Sequence, residues 1–143
     1  MSAVILVVDD DASNREAFEL ALSRAGFGVE HAEDGRAALD RIRNGGLSLV
    51  LTDLRMPGMN GIELMRAARL LDADLEFIVM TAYGTVETAV DAMKEGAYDF
   101  VSKPIKRMEL LPIVRKALER RSLSVENREL RRLLADSTSE IVG

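Results

Sequence analysis

No cysteine occurs in the sequence. Its absence excludes a disulfide framework, a thiolate metal site and a cysteine nucleophile. The one histidine, His31, stands beside a weakly apolar run and reads as structural rather than as a ligand. Aromatic residues are 4% of the chain, too few to build the sugar-binding face that paired carboxylates would serve in a glycosidase. No apolar run approaches the roughly 20 residues of a membrane span, and the start MSAVILVVDDD lacks the basic region of a secretion signal. Neither a membrane partner nor export is expected, and the expected location is the cytoplasm. Basic excess is missing too: net charge is −5 and the pI is about 5.0, so this stretch lacks the footprint of a nucleic-acid binder.

What is present suits one domain. The 143 residues are 48% hydrophobic and 30% charged, enough for an independent core. Short runs rich in β-branched residues, Val4 to Val8, Phe27 to His31, Leu49 to Leu51, Phe77 to Met80 and Tyr98 to Val101, alternate with stretches whose leucines, alanines and methionines recur at three and four spacing. The runs predict strands; Asn14 to Ala25, Gly35 to Arg43, Gly61 to Leu71, Thr85 to Glu95 and everything after Lys106 predict helices. Gly26 and Gly96 fall where helices should end, and Asp34 and Thr85 where N-caps are wanted. Strict alternation predicts right-handed crossovers and a parallel sheet covered on both faces. The weak second run predicts an edge strand.

After Pro112 the helical pattern continues without interruption and grows more charged. Leu123, Asn127, Leu130 and Leu134 repeat at four, three and four, the spacing of a short coiled-coil seam in which Asn127 would fix register. The alternative is that these leucines extend the last helix against its own domain.

The unusual polar residues collect at strand ends. Asp9, Asp10 and Asp11 close the first strand, Asp53 the third, Thr81 the fourth and Lys103 the fifth. In an open parallel sheet those ends form one rim, where ligands bind. Carboxylates brought so close repel one another unless a cation joins them. With only oxygen donors at hand the expected ion is hard, Mg2+ in particular, which binds one or two carboxylates and a phosphate. A hydroxyl from Thr81 and an ammonium from Lys103 complete a set suited to a phosphoryl group. Simpler readings exist for single members: Asp11 as the N-cap of the first helix, Thr81 as a hydroxyl satisfying backbone, Lys103 as an exposed lysine before a turn. Their convergence favours the site.

The motifs VVDDD, TDLRMPGMNG, MTAYG and YDFVSKP, in this order over roughly residues 3 to 120, resemble the receiver domain of bacterial two-component response regulators. The resemblance implies an α/β flavodoxin-like three-layer sandwich with a five-stranded parallel sheet of order 2-1-3-4-5, extended here by a long C-terminal helix. It implies Asp53 as phosphoacceptor, Mg2+ held by Asp10, Asp53 and the backbone carbonyl of Arg55 with Asp9 assisting through water, and Thr81 and Lys103 as partners of the phosphoryl oxygens. It also implies a cis bond at Lys103-Pro104, and an aromatic switch at Phe100, where the family often has tyrosine. The segments GAYDFVSKP, TAYGTVETAVDAMKEGA and VENRELRRLLADSTSEIVG resemble the NtrC-type subfamily, in which a receiver is joined by a helical linker to an AAA+ ATPase that acts on the alternative sigma factor. No G-x-x-x-x-G-K-[ST] phosphate loop is present, and the final DSTSEIVG resembles the start of such an ATPase. The expected organisation is a receiver over 1–120 and a helical linker over 121–143.

The implied function is a phosphorylation-activated switch, not an enzyme beyond its own phosphorylation and dephosphorylation. Its expected partners are a sensor histidine kinase, a second copy met through the fourth helix, fifth strand, fifth helix and linker, and the ATPase of the longer protein. Two other classes remain open on the residues: a phosphohydrolase, which would want a second acid where Arg55 stands, and an interaction module whose linker carries the function.

Overall fold

The computed structural model describes residues 3–82, 86–104 and 106–142. Strands and helices alternate: β1 (Val4–Val8), α1 (Ala12–Arg24), β2 (Gly28–Ala32), α2 (Gly35–Arg43), β3 (Leu49–Asp53), α3 (Gly61–Leu71), β4 (Glu76–Thr81), α4 (Val86–Lys94), β5 (Asp99–Ser102) and α5 (Arg107–Val142). The five strands pair in parallel in the order β2-β1-β3-β4-β5.

Burial explains that order. β4 is buried at every residue and β1 and β3 at all but one end position, so these strands lie inside the sheet with a helix layer on each face. β2 carries Glu30 and His31 and is mostly half-exposed, and β5 is four residues long with one buried position; both are edges. Alternate residues feed two cores. Leu6, Val8, Val50, Phe77 and Val79 meet Leu39, Ile42, Leu64, Met65 and Ala92 on one face. Ile5, Val7, Leu51, Ile78 and Met80 meet Phe18, Leu22, Leu110, Val114 and Ala117 on the other. Helices α2, α3 and α4 therefore cover one side, and α1 and α5 the other.

The caps set the boundaries. Asp11 accepts a hydrogen bond from Ser13 N at 2.8 Å, which starts α1 at Ala12, two residues ahead of the apolar periodicity. Gly26, at φ 96°, ends α1 in a Schellman cap: Gly26 N donates to Ser23 O and Phe27 N to Leu22 O. Because Phe27 is committed to that cap, β2 begins at Gly28 rather than at Phe27. Gly96 closes α4 in the same way, through Met93 O and Ala92 O. Asn60 and Glu63 form a reciprocal capping box at α3. The expected cap at Thr85 and the glycine at 84 lie outside the described residues.

Helix α5 runs on past the sheet as one element of 36 residues. Pro112, in its second turn, is exposed and withdraws one donor from the carbonyl of Met108, itself 90% exposed, so water can satisfy that carbonyl.

Candidate phosphoryl-transfer site at the carboxyl ends of the strands

Three oxygens define the rim. Ligand atoms of Asp9, Asp10 and Asp53 all lie within 4.8 Å of one another. Asp9 follows β1 and is fully buried; Asp53 ends β3 and is partly exposed; Asp10 is exposed. Lys103 Nζ reaches across from the end of β5 to Asp53 Oδ2 at 2.7 Å and Asp9 Oδ2 at 2.9 Å. Burial alone would draw the Lys103 ammonium down, but hydrogen bonding to Asp53 and then to Asp9 outweighs it and holds the group above the ordinary lysine value.

Local bonds hold Asp9 and Asp53 in place. Asp9 Oδ1 accepts from Asp11 N at 2.9 Å, and Asp9 O accepts from Arg15 Nη1 at 2.6 Å. Asp53 Oδ1 accepts from Arg55 N at 3.1 Å, and Asp53 O from the buried Thr52 hydroxyl at 3.0 Å. Lys103 N donates to Thr81 O at 2.8 Å, tying the ends of β4 and β5 together. Thr81 is 5% exposed, and the Lys103–Pro104 peptide is cis.

The donor set fits a hard divalent ion. Asp9 Oδ2 is buried, and the Lys103 ammonium at 2.9 Å is its one partner among the described residues, which leaves its remaining acceptor capacity unmet. A buried carboxylate oxygen in that condition is costly, and a cation or its water shell would satisfy it. All three candidate ligands are oxygens, as Mg2+ prefers.

The structure thus brings Asp9, Asp10, Asp53 and Lys103 together and places Thr81 at the adjacent strand end. Arg55 contributes an amide to Asp53, and Asp11 serves as the cap of α1. Phe100 lies off the rim on the edge strand β5, 39% exposed. Leu123, Leu130 and Leu134 are 60%, 53% and 66% exposed, and Asn127 is exposed beside them. His31 Nε2 pairs with Glu19 Oε2 at 2.9 Å, away from the rim. Two positioning groups escaped the sequence reading, Arg15 and Thr52. The signal for Arg15 was present: it stands one helical turn after the Asp11 cap, on the turn that faces the acidic loop.

Residues 5–115 match the family model of the response regulator receiver domain. The chain belongs to the response regulator receiver family. It is 40% identical over 136 residues to the C4-dicarboxylate transport transcriptional regulatory protein DctD of Rhizobium meliloti, covering 95% of this chain and 29% of that protein. It is likewise 40% identical over 133 residues to the regulatory protein AtoC of Escherichia coli, covering 93% of this chain and 29% of that one. Among solved structures, NtrX from Brucella abortus in complex with ADP superposes with a TM-score of 0.85 at 34% identity, over 91% of this chain and 30% of that one. A response regulator receiver domain protein from Clostridium thermocellum superposes at 0.80 with 28% identity, over 85% of this chain and 98% of that one. DctD and AtoC agree with the NtrC-type resemblance, and the chain spans 29% of the length of each of these two regulators.

Proposed function

We propose that this receiver is a phosphorylation switch in which Asp53 takes a phosphoryl group from a sensor histidine kinase. The observation that carries the reading is the pairing of Asp53 Oδ2 with Lys103 Nζ at 2.7 Å beside a fully buried Asp9. An Asp53 oxygen attacks the phosphorus of a phosphohistidine, the phosphorus–nitrogen bond breaks, and the imidazole leaves with the electron pair. Mg2+, held by Asp10, Asp53 and the Arg55 carbonyl with Asp9 assisting through water, would neutralise the charge that develops on the transferring group. Lys103, kept in place by Asp9, then pairs with a phosphoryl oxygen instead of the free carboxylate. The Thr81 hydroxyl supplies a further donor from the end of β4.

The product carries roughly −1.5 to −2 charge where a carboxylate stood. For that change to be read elsewhere it must bias an element with two arrangements. The reading places that element at the Thr81 strand end, helix α4 and Phe100, with Val90 at 47% and Met93 and Phe100 each at 39% exposure along one outer face. A second copy would dock there and through the linker seam Leu123, Asn127, Leu130 and Leu134. Moving a balance from mostly off to mostly on takes about 5.5 kcal/mol, within reach of several charge-assisted bonds to one phosphoryl group.

The same reading divides the chain into a receiver over 1–120 and a linker over 121–143, and assigns the switch to a cytoplasmic, transcription-activating AAA+ ATPase in a longer protein. Support comes from the similarity to DctD and AtoC, and from the linker leaving the domain as continuous helix. No helix among the described residues is long and apolar enough to cross a membrane.

Intact-mass measurement after incubation with acetyl phosphate and Mg2+ tests the proposal. One phosphoryl group should be gained by the native chain and none by Asp53→Asn. Equal uptake by both would end it, and so would loss of the requirement for Mg2+.

A further inference from the structure

Along α5 the buried stripe Leu110, Val114 and Ala117 is continued on the same face by Arg121 and Arg128. At 3.6 residues per turn both arginines fall within roughly 20° of Leu110, whereas Leu123, Asn127, Leu130 and Leu134 cluster roughly 140° away. The inward face therefore changes from apolar to cationic where the helix clears the sheet.

Acids meet it there. The α3–β4 connection carries Asp72 and Asp74, and β4 opens with Glu76, so three acids stand at alternate positions. Asp72 Oδ2 lies 3.6 Å from Arg121 Nη1, Asp74 Oδ2 2.9 Å from Arg128 Nη1, and Glu76 Oε1 3.5 Å from Arg120 Nε. The acids are not ordinary surface groups: side-chain exposure is 12% for Asp74 and 7% for Glu76. Burial pushes the Glu76 carboxyl above the usual glutamate range, although Arg120, Arg69 and Arg121 pull the other way. Glu76 Oε2, Arg69 Nε and Arg121 Nη1 are buried without a hydrogen-bond partner. Charge complementarity here outruns hydrogen bonding, an arrangement that selects one placement of the helix more than it adds stability.

We infer that the α3–β4 connection is a docking surface for the arginine face of the chain's own linker helix, and that it fixes the rotational phase of that helix. The phase so fixed turns Leu123, Asn127 and Leu134 away from the arginine side and toward a second copy, with Leu130 at the edge of a groove that Ala3, Gly46 and Ser48 also line. Without the clasp, the stretch beyond Leu118 would have no apolar residue at the Arg121 and Arg128 positions to hold it to the receiver, and a helix without tertiary contacts is marginal in water. In the β3/β4 ladder Asp53 pairs with Met80 and Leu49 with Glu76, so phosphoacceptor and clasp occupy opposite ends of one strand pair, roughly 13 Å apart along it. The clasp itself is independent of dimer formation; only the role of the exposed seam rests on the dimer reading above.

The lack of cysteine permits an uncomplicated test. Nitroxide labels on Asn44→Cys and Arg131→Cys, both exposed positions, report the receiver-to-linker distance by double electron–electron resonance, with labelled chains diluted in unlabelled ones so that only distances within one chain are read. One narrow distance is expected. Asp72→Arg with Asp74→Arg should broaden it at least twofold, and adding Arg121→Asp and Arg128→Asp should narrow it again. Raising the salt from about 0.05 to about 0.5 M on the otherwise unaltered labelled chain should broaden it too, because screening shortens the reach of partly exposed pairs. A width unchanged by both charge reversal and salt overturns the clasp, as does reversal that the swap fails to repair in a folded chain. Sedimentation of the unlabelled chain reports the dimer separately, so a monomer with a narrow distance would sink the dimer reading and leave the clasp standing.

Discussion

Helix α3 begins so close to the end of β3 that a methyl group on Gly61 would stand 2.6 Å from the carbonyl oxygen of Asp53 and 3.1 Å from Leu54 Cα. Both neighbours are backbone and cannot swing aside. Gly61 N also donates to Leu54 O at 3.0 Å, which seats the helix on the end of β3. In an unobstructed helix, glycine to alanine gains up to about 1 kcal/mol. Here Gly61→Ala is expected to lose about 1–3 kcal/mol through forced displacement, and to slow phosphorylation by acetyl phosphate, because the Asp53 backbone is what must move. Urea unfolding and the phosphorylation rate check both; a stabilised variant with an unchanged rate would refute the close approach.

Lys103→Met should leave Asp9, fully buried, without its counter-charge. Breaking one partner of such a pair costs about 3–5 kcal/mol. Part of the loss should return on adding Mg2+, since an ion that binds only the folded state stabilises it in proportion to the logarithm of its concentration over Kd. In the native chain the raised Lys103 value has a definite sign: its contribution is complete below the ordinary value of 10.5 and disappears as pH rises through the folded one. The alkaline limb of the stability curve should therefore flatten in Lys103→Met.

Glu76 follows the same sign at the acidic end. Its folded value lies above the ordinary 4.5, so the folded chain binds the proton more tightly, and the stability this supplies is full below 4.5 and lost as pH climbs through the folded value. Glu76→Gln removes a charge that burial penalises. Thermal melts should show the variant more stable than the native chain at pH 7, with the difference vanishing near pH 4.

Leu123→Glu with Leu130→Glu should abolish self-association measured by sedimentation while leaving the receiver's melting temperature unchanged, because both leucines are more than half exposed. Unaltered association would place the dimer contact elsewhere. Asn127→Leu should instead strengthen association and loosen its stoichiometry, since a buried amide in a seam gives up stability to specify strand number.

Much of this architecture was legible before any coordinates. Uninterrupted runs such as Val4 to Val8 announce buried parallel strands because both sheet faces must be covered. Glycines at 26 and 96 mark helix ends because their left-handed backbone, at φ 96° and 102°, penalises any side chain. Asp53 and Lys103 were readable because each stands where an apolar strand stops. Strand limits were less so. Asp53, Glu76 and Thr81 belong to their strands through backbone pairing that side-chain character does not reveal. Arg15 had a positional signal, one turn after the Asp11 cap, but its target, a backbone carbonyl, has no mark in the sequence; Asp72, Asp74 and Glu76 were missed because their partners lie roughly 50 residues away on a helix whose arginines look merely solvated.

The two edges of the sheet carry a consequence for assembly. β2 exposes His31 and keeps Glu30 bridged to Arg41, and β5 offers four residues, of which Phe100 and Ser102 are exposed. Short strands and edge charges deter a neighbour from adding its own strand. Copies of this protein can thus come close without fusing their sheets into a continuous ribbon, and the pairing proposed above would run through side chains rather than through a shared strand ladder.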